Sequence, residues 1–505
     1  MAASSDLHAL PGTRDRFFIT ASVMLATIMQ VLDSTIANVA LPHMEGSLSA
    51  TQDQITWVLT SYIVAAAIGT PLTGWLAGRF GRKRIFLISV TGFTVTSVAC
   101  ALSTSLVQMV AARLLQGLFG AALVPLSQAT MLDINPPEKH AQAMSVWGMG
   151  VTVGPILGPA LGGWLTDQYN WRWVFYVNVP IGLVALFGIY AFMRETRPLA
   201  RRLDLFGFGT LSLAIAALQL FLDRGEVQDW FGSTEIWVEL LTAIIAFAFF
   251  LVHTFTVQTA SFFNRALARD RNFVTGCGFY FVMGAVLYAT RALLPPFLQD
   301  LMGYPVVAAG LATAPSGAGS MLAMMLAGQL AGRFQARALI GAGFAISAFS
   351  LWQMSGYTFE MSEGVVIWTG FVQGLGLGLI SVPLTTATFS TLDPMLRGDG
   401  TSIYSLSRNI GSSIGISFVQ AQLTRNTQIA HSSLVEHVNP FNPLLQAGSH
   451  WNTATASGLA ALNAEVTRQA SMIGYVDAFR LLMLLALSVL PFLLLMKPER
   501  KPQAV

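Results

Sequence analysis

Residues 74–80 read Gly-Trp-Leu-Ala-Gly-Arg-Phe, and residues 328–334 read Gly-Gln-Leu-Ala-Gly-Arg-Phe. These two stretches are 254 residues apart, and two further features recur at almost the same offset, 257 residues. They are Gln-Gly-Leu at 116–118 and 373–375, and a glycine pair at 154/158 and 411/415. Three ordered features at one spacing indicate an internal repeat. The sequence therefore predicts two copies of one structural unit in a single chain.

The composition places these two copies in a membrane. Of 505 residues, 54% are hydrophobic and only 10% are charged, whereas soluble proteins carry about 25% charged residues. Lipid accepts apolar side chains outward, and water does not. A net charge of +3 gives no reason to expect nucleic-acid binding. The sequence has no phosphate-binding Gly-Lys motif and no metal-ligand spacing around Cys100 and Cys277, so we do not expect an enzyme.

Apolar runs of about 20 residues are long enough to cross a bilayer as helices. Lys and Arg cluster in alternate connections and at both termini, which places both ends in the cytoplasm by the positive-inside rule. We therefore expect an all-α integral membrane protein with fourteen transmembrane helices. The predicted spans lie near 17–41, 55–76, 85–104, 107–132, 141–165, 171–193, 203–222, 236–256, 273–296, 305–330, 336–355, 364–390, 401–423 and 474–496.

The repeat groups these spans as six, two and six. We expect an N-terminal six-helix bundle at 1–195, two inserted linker helices at 196–258 and a C-terminal six-helix bundle at 259–505. A polar periplasmic loop at about 424–473 belongs to the last bundle and is long enough to contact another protein. Because each copy has an even number of spans, an axis along the membrane normal should relate the two bundles.

Two charged residues lie deep inside predicted spans, where a charge is costly and therefore a candidate for function. Asp33 is about eight residues from the predicted outer end of its span, and Arg113 is about seven residues from the outer end of its own. At about 1.5 Å per residue the two lie at matching depth. We expect Asp33 to take a proton from outside and to weaken its bond to Arg113. A static pair that only stabilises the fold is the alternative.

The second copy has no equivalent of this charged pair. Leu287 and Gly370 stand at the positions that match Asp33 and Arg113. Proton chemistry is therefore expected in the first half alone.

Four segments resemble the major facilitator superfamily, specifically its fourteen-span drug:proton antiporter family (DHA2). Residues 32–42, Leu-Asp-Ser-Thr-Ile-Ala-Asn-Val-Ala-Leu-Pro, resemble the first-helix motif. Arg113 with Gln-Gly at 116–117 resembles the fourth-helix motif, and residues 171–180 are also similar. The loop 74–84 resembles the helix 2–3 motif, with Gly78 where the family has an acid. Residues 222–225 and 438–443 are most similar to EmrB-type efflux pumps.

The fifth span carries glycine every four residues, which allows close approach to a neighbouring helix. Two prolines in the same span remove helix hydrogen bonds and favour a bend. The resemblance implies that this span and the 74–84 loop gate the movement of the two halves. Ordinary tight packing is the alternative. The gating candidates are Gly150, Gly154, Pro155, Gly158, Pro159, Gly162, Gly163, Gly74, Arg79, Gly81 and Arg82.

A substrate cavity between the halves should be lined by polar residues set among apolar and aromatic ones. Buried Arg outnumbers buried Asp three to one, which favours weakly acidic or neutral lipophilic compounds over dications. The substrate-binding candidates are Gln30, Asn38, Gln116, Tyr288, Arg291, Gln373 and Arg408.

The resemblance implies a proton-driven antiporter that exports lipophilic drugs across the bacterial inner membrane by alternating access. It needs no cofactor, since the proton gradient supplies the energy. It also implies a periplasmic adaptor of the EmrA type and an outer-membrane channel of the TolC type. A metabolite exporter or symporter of the same fold is the alternative. A scaffold or receptor would gain little from Asp33 and Arg113.

Overall fold

Helices make up all regular structure in the part of the chain that the computed structural model describes. That part covers residues 11–196, 202–257, 263–331, 333–438 and 455–496. The first six long helices are α1 (Thr13–Ser47), α2 (Trp57–Phe80), α3 (Arg82–Leu102), α4 (Leu106–Ile134), α5 (His140–Gln168) and α6 (Asn178–Phe192). Helix α4 is broken at residues 121–122 into Leu106–Gly120 and Leu123–Ile134.

Eight further long helices follow. They are α7 (Leu205–Arg224), α8 (Thr234–Thr256), α9 (Arg271–Pro296), α10 (Val306–Leu330), α11 (Ala336–Met354), α12 (Glu363–Phe389), α13 (Arg397–Glu436) and α14 (Ala456–Ser488). Short helices at Gln52–Ile55, Trp173–Tyr176 and Arg265–Arg269 lie in the connections.

Eleven helices in the described residues are long and apolar enough to cross a membrane. This confirms an all-helical, multi-pass membrane protein. Helices α10, α11 and α13 are not among the eleven. The count of fourteen spans therefore stays a prediction.

Three helix ends extend well beyond the predicted spans. Helix α1 continues to Ser47, six residues beyond the predicted end at 41. Helix α13 continues to Glu436 and α14 begins at Ala456, so the predicted loop at 424–473 is largely helical where it is described. Hydropathy finds the part of a helix inside lipid, and these helices continue beyond that part.

The extensions of α13 and α14 pack against each other. Gly474 lies against the Thr427 side chain, and His431 is hydrogen-bonded to Asn463 at 3.1 Å. Residues 439–454, which include most of the 438–443 segment, lie outside the described residues.

Contacts between the two predicted bundles are made by few helices. Helix α13 packs against α2 and α4, and α5 packs against α10 and α12. The contacts obey the sequence repeat: Gly74 near the end of α2 lies on Asp399 of α13, and Gly328 near the end of α10 lies on Ser145 of α5. The inserted helix α7 packs against α2 and α13 as well as α8. The bundle boundaries at 195 and 258 stay a prediction.

Candidate functional site

Asp33 and Arg113 form an ion pair inside the first six helices. Arg113 Nη1 donates a hydrogen bond of 2.7 Å to Asp33 Oδ2, and the two side chains are 1% and 0% exposed. An unpaired charge at this depth would be strongly unfavourable, and pairing with hydrogen bonds offsets much of that penalty. Helix α1 ends later than predicted, yet the two residues that the sequence placed at one depth are in contact.

Two amides complete the hydrogen bonds to the Asp33 carboxylate. Gln116 Nε2 and Asn178 Nδ2 both donate to Oδ1, at 3.0 and 2.7 Å. Both amide side chains are fully buried. We call Asp33, Arg113, Gln116 and Asn178 the Asp33 cluster. Each of the other three side chains donates to the Asp33 carboxylate and none accepts from it, so the arrangement fits an ionised Asp33.

Arg113 is held in place by groups from the neighbouring helix α2 and from its own helix α4. Its Nε donates to the backbone oxygen of Val58 at 3.1 Å, and its Nη1 also donates to Gln116 Oε1 at 2.7 Å. The guanidinium lies 4.2 Å from the centre of the Tyr62 ring, a cation–π distance. The Tyr62 hydroxyl accepts a bond of 2.9 Å from Gln30 Nε2. The arginine is therefore fixed by α2 and α4 while it faces α1.

Sequence reasoning did not assign Asn178, Tyr62 or Ser97 to the site. Asn178 also donates to Ser97 Oγ at 2.9 Å, which ties α1, α3 and α6 together. Asn178 lies in the 171–180 segment that resembled the family, and this resemblance was the signal available. Spacing alone does not show which face of α6 meets α1.

A cavity lies between the two predicted halves, bounded by α1 and α5 on one side and by α9, α10, α12 and α13 on the other. It encloses about 700 Å³ of empty space, part of it open to solvent. Tyr288, Arg291 and Arg408 line this central cavity, as predicted for substrate-binding residues. Its other lining residues are Val31, Met144, Trp147, Gly148, Val151, Thr152, Pro155, Tyr280, Met283, Leu287, Ser320, Met324, Leu377, Ser381 and Thr385.

Four predicted cavity residues do not line it. Gln116 belongs to the Asp33 cluster, and Gln30 bonds to Tyr62. Asn38 is exposed on α1, and Gln373 is buried on α12. Depth can be estimated from sequence, but the direction in which a helix turns each side chain depends on packing against its neighbours.

The two cavity arginines have no acidic partner among the described residues, unlike Arg113. Arg408 makes only a 3.5 Å bond to the Tyr280 hydroxyl and a 3.2 Å bond to Asn409 Oδ1, and its Nε is buried without a partner. The cavity therefore presents uncompensated positive charge beside aromatic and methionine side chains.

The glycines of α5 face α1 in the same half. A Cβ at Gly154 would lie 2.8 Å from Val31, one at Gly158 would lie 2.2 Å from Thr35 Oγ1, and one at Gly162 would lie 2.8 Å from Ile36. A Cβ at Gly150 would meet Met24. This row therefore packs against α1 of its own half and not against the second half, since periodicity defines a face without naming its neighbour. Its part in gating stays a prediction.

Another face of α5 meets the second half. Ser145 Oγ donates to the backbone oxygen of Met324 on α10 at 2.7 Å, and Gly148 lies against the Met324 side chain. Three gating candidates on α5 remain. Pro155 lines the cavity, Pro159 is exposed, and a Cβ added at Gly163 would make only an ordinary contact with Val39, at 4.0 Å.

The 74–84 loop is anchored by acids from other segments. Gly81 has φ +91°, a conformation that favours glycine. The Glu195 carboxylate lies against Gly81 and accepts from the backbone N–H groups of Lys83 and Arg84, at 3.1 Å each. Arg79 is exposed. These contacts fix the start of α3.

Asp133 at the end of α4 joins the two halves. Its Oδ2 accepts from Arg82 Nη1 at the start of α3, and its Oδ1 accepts from Arg397 Nη1 at the start of α13, at 2.8 Å. We call these three residues the Asp133 bridge. It places an acid between the halves although the loop itself carries Gly78.

Comparison with known proteins agrees with this architecture. The sequence profile of the Major Facilitator Superfamily matches residues 23–416. The chain is 40% identical to the multidrug export protein EmrB of Escherichia coli K12 over 433 residues, which cover 85% of this chain and 84% of the relative. It is 35% identical to the fatty acid resistance protein FarB of Neisseria gonorrhoeae, over 95% of this chain and 96% of the relative.

A solved structure shows the same fold. The proton:xylose symporter XylE superposes with a TM-score of 0.61 at 16% identity, over 95% of this chain and 96% of the other. A likeness at that identity concerns the fold alone. Together with the family profile and the close relatives, it shows that the chain belongs to the major facilitator superfamily and, within it, to the group of the EmrB multidrug export proteins.

Proposed function

We propose that this protein is a proton-driven antiporter that exports lipophilic small molecules across the bacterial inner membrane by alternating access. The observation that carries the proposal is the buried Asp33–Arg113 pair, at 2.7 Å. An ionisable residue in the interior of a membrane protein is a functional candidate by default, and proton relays are one use of buried carboxylates. Protonation of Asp33 removes its charge and so weakens its attraction for Arg113. The proton gradient, with no cofactor, would then drive the cycle.

The central cavity supports the alternating-access part of the proposal. It lies between the two halves, where transporters of this fold place their substrate near the membrane midplane. Val31, two residues before Asp33, lines the cavity. Thr35, two residues after it, lies on Gly158 and bonds to the Gly154 oxygen at 3.3 Å. Helix α1 thus touches the proton site, the cavity and α5, and a small movement of α1 would reach all three.

The glycines of α5 take a different gating role from the one expected. Gly154, Gly158 and Gly162 give α1 and α5 an almost bare contact. Close backbone approach leaves few interlocking side chains, so the two helices can slide past each other. We assign the fifth-helix glycines to movement within the first half, and the Asp133 bridge to contact between the halves.

The proposed substrates are weakly acidic or neutral lipophilic compounds. Arg291 and Arg408 offer positive charge to an acidic group. Met144, Met283 and Met324 offer flexible, polarisable surface that adapts to different apolar shapes. Two relatives are named for multidrug export and for fatty acid resistance, which fits this combination.

The membrane arrangement and the partners belong to the same proposal. We assign fourteen spans as six, two and six, with both termini in the cytoplasm. The α13–α14 extensions, joined by the His431–Asn463 bond, then project on the outer side. They are the surface for a periplasmic adaptor of the EmrA type, which would lead to an outer-membrane channel of the TolC type.

A symporter or a dedicated metabolite exporter of the same fold is the second candidate, since XylE has this fold and is a proton symporter. The test is transport in proteoliposomes with an imposed pH gradient and a panel of weak acids, cations and neutral compounds. We expect drug movement opposite to the proton, lost in Asp33→Asn. The control is Asp477→Asn, where the acid pairs with Arg480 on the same helix and is partly exposed. Full gradient-driven export by Asp33→Asn would refute the proposal.

A further inference from the structure

The Asp33 cluster contains one acceptor that the ionised state does not use. Asn178 Oδ1 is buried and has no hydrogen-bond partner among the described residues. The nitrogen of the same amide is fully engaged, with Asp33 Oδ1 at 2.7 Å and Ser97 Oγ at 2.9 Å. A buried polar atom without a partner is unfavourable and needs an explanation.

Protonation of Asp33 would give the cluster one more hydrogen-bond donor, so that Asp33 needs an acceptor beside it. A neutral carboxylic acid has an O–H that must donate, whereas all three side chains now donate to Asp33. One neighbour must therefore offer an oxygen instead of a nitrogen. A buried O–H with no acceptor would make the protonated state costly and would block proton uptake.

Gln116 is unsuited to this change. Its Oε1 accepts a hydrogen bond of 2.7 Å from Arg113 Nη1 and a bond of 3.5 Å from the Cys100 thiol. Rotation of the amide would therefore turn its nitrogen towards the Arg113 guanidinium. Arg113 has only donors. Rotation of Asn178 breaks no bond at its oxygen, because that oxygen has no partner now. Its nitrogen gives up the bonds to Asp33 and Ser97, and two bonds that the oxygen accepts from the same two residues replace them. The terminal torsion of asparagine is broad and roughly two-fold, so both orientations are accessible.

We infer that Asn178 is a positioning residue that reads the protonation state of Asp33 by rotating its side-chain amide. With Asp33 ionised, Nδ2 faces the carboxylate. When a proton from the outside binds a carboxylate oxygen, the amide rotates and Oδ1 accepts the new O–H. No covalent bond of Asn178 changes, and the proton returns to water when Asp33 releases it. This inference rests on the proposed proton-coupled function and deepens it.

Rotation of Asn178 would also carry the proton signal to two other helices. Ser97 on α3 now accepts from Asn178 Nδ2 and donates to the backbone oxygen of Phe175 at 2.9 Å. After rotation Ser97 faces an oxygen, so its hydroxyl can turn from Phe175 to Asn178. The Ser97–Phe175 bond would then break and the Asn178–Ser97 bond would reverse its direction, which would loosen the turn that precedes α6. The proton would thereby affect α1, α3 and α6 together.

The surroundings of Asp33 contain few other groups that could take this part. The titratable groups that face it are Arg113 from α4, Tyr62 from α2 and Cys100 from α3. Helix α5 contributes only glycines to the contact with this part of α1, and helix α6 contributes Asn178. Asn178 is the member of the Asp33 cluster with a spare acceptor.

Infrared difference spectroscopy of the full-length, reconstituted protein between high and low pH tests the inference. The carbonyl band of protonated Asp33 is identified as the band that Asp33→Asn removes. A carboxylic acid that donates a hydrogen bond absorbs at lower frequency than one that does not. We expect this band to shift to higher frequency in Asn178→Leu and to stay in place in Ser97→Ala, which keeps the amide. An unshifted band in Asn178→Leu would overturn the inference.

A second measurement does not depend on the folding of a variant. In wild-type protein labelled with carbon-13 at the asparagine side-chain carbonyl, we expect an isotope-shifted amide signal in the pH difference spectrum. Absence of any such asparagine signal would overturn the role of Asn178. Absence of an Asp33-dependent acid band would instead overturn the proposed function, so the two failures are distinguishable.

Discussion

Arg397 donates a hydrogen bond of 2.8 Å to Asp133, across the boundary between the two halves. Arg82 bonds the other oxygen of the same carboxylate, so one acid holds an arginine from each half. The 74–84 loop carries Gly78 at the position where the resemblance implied an acid. The Asp133 bridge therefore supplies an acidic contact between the halves from α4.

Replacement of Asp133 by Asn should weaken the closed contact between α4 and α13. The three side chains are only partly exposed, and each ion pair of this kind contributes up to about 1 kcal/mol. Only the Arg397–Asp133 pair spans the two halves, so its loss shifts the population of open and closed states by about fivefold or less. Spin labels on the ends of α4 and α13 should report a larger share of long distances. The matched control is Asp477→Asn, which breaks an ion pair within α14.

Replacement of Arg113 by Lys should destabilise the protein although the charge is kept. A lysine ammonium cannot reach Val58, Asp33 and Gln116 together, and it lacks the planar face that stacks on Tyr62. Breaking a buried ion pair costs about 3–5 kcal/mol. We expect a clear fall in the thermal unfolding temperature in detergent. Arg480→Lys, at an exposed pair, should leave that temperature unchanged, and equal effects at the two sites would contradict this account.

The Asp33 cluster shows how far sequence reasoning can go. Depth in a membrane follows from position in an apolar run, and this was enough to predict that Asp33 meets Arg113. Asn178 was not predicted, because it is the first residue of α6 and the preceding turn sets the direction of its side chain. Such a turn is fixed by the packing of Trp171 and Phe175, and no periodic pattern encodes it.

The helix-five glycines show a second limit. Their spacing predicted a bare face, and the bare face exists. Its neighbour is α1 instead of the second half, because rotation of α5 about its axis is set by Met24, Val31 and Thr35. Helix ends show a third limit, since polar sequence from 424 to 436 and from 456 to 473 is helical without an apolar signal.

Replacement of Gly158 by Ala should show whether this glycine is needed for close packing against α1 or for backbone flexibility. The added methyl group would lie 2.2 Å from Thr35 Oγ1, so α1 and α5 must move apart. Overpacking of this kind costs about 1–3 kcal/mol. We expect lower thermal stability and lower gradient-driven transport. Gly278→Ala on α9 is the control, because its methyl group would meet nothing within 4 Å. A similar loss in both variants would point to glycine flexibility instead of contact.

Replacement of Arg408 by Gln should change substrate selection without loss of the proton site. A hydrogen bond to a charged group contributes about 1.5–3 kcal/mol, which corresponds to roughly tenfold or more in affinity. We expect the affinity for weakly acidic lipophilic compounds to fall by about that factor in equilibrium binding. Affinity for neutral compounds of similar size should change little, because their contacts are with Met324, Trp147 and other apolar side chains.

The control for this change lies on the same helix. Arg425 on α13 is exposed and outside the central cavity, so Arg425→Gln removes an equal charge at a distance from the substrate. Its binding of acids should match that of the wild type. Equal losses for acids and neutral compounds in Arg408→Gln would mean that the arginine shapes the cavity through its bonds to Tyr280 and Asn409. A selective loss for acids would assign the Arg408 guanidinium to the acidic group of the substrate.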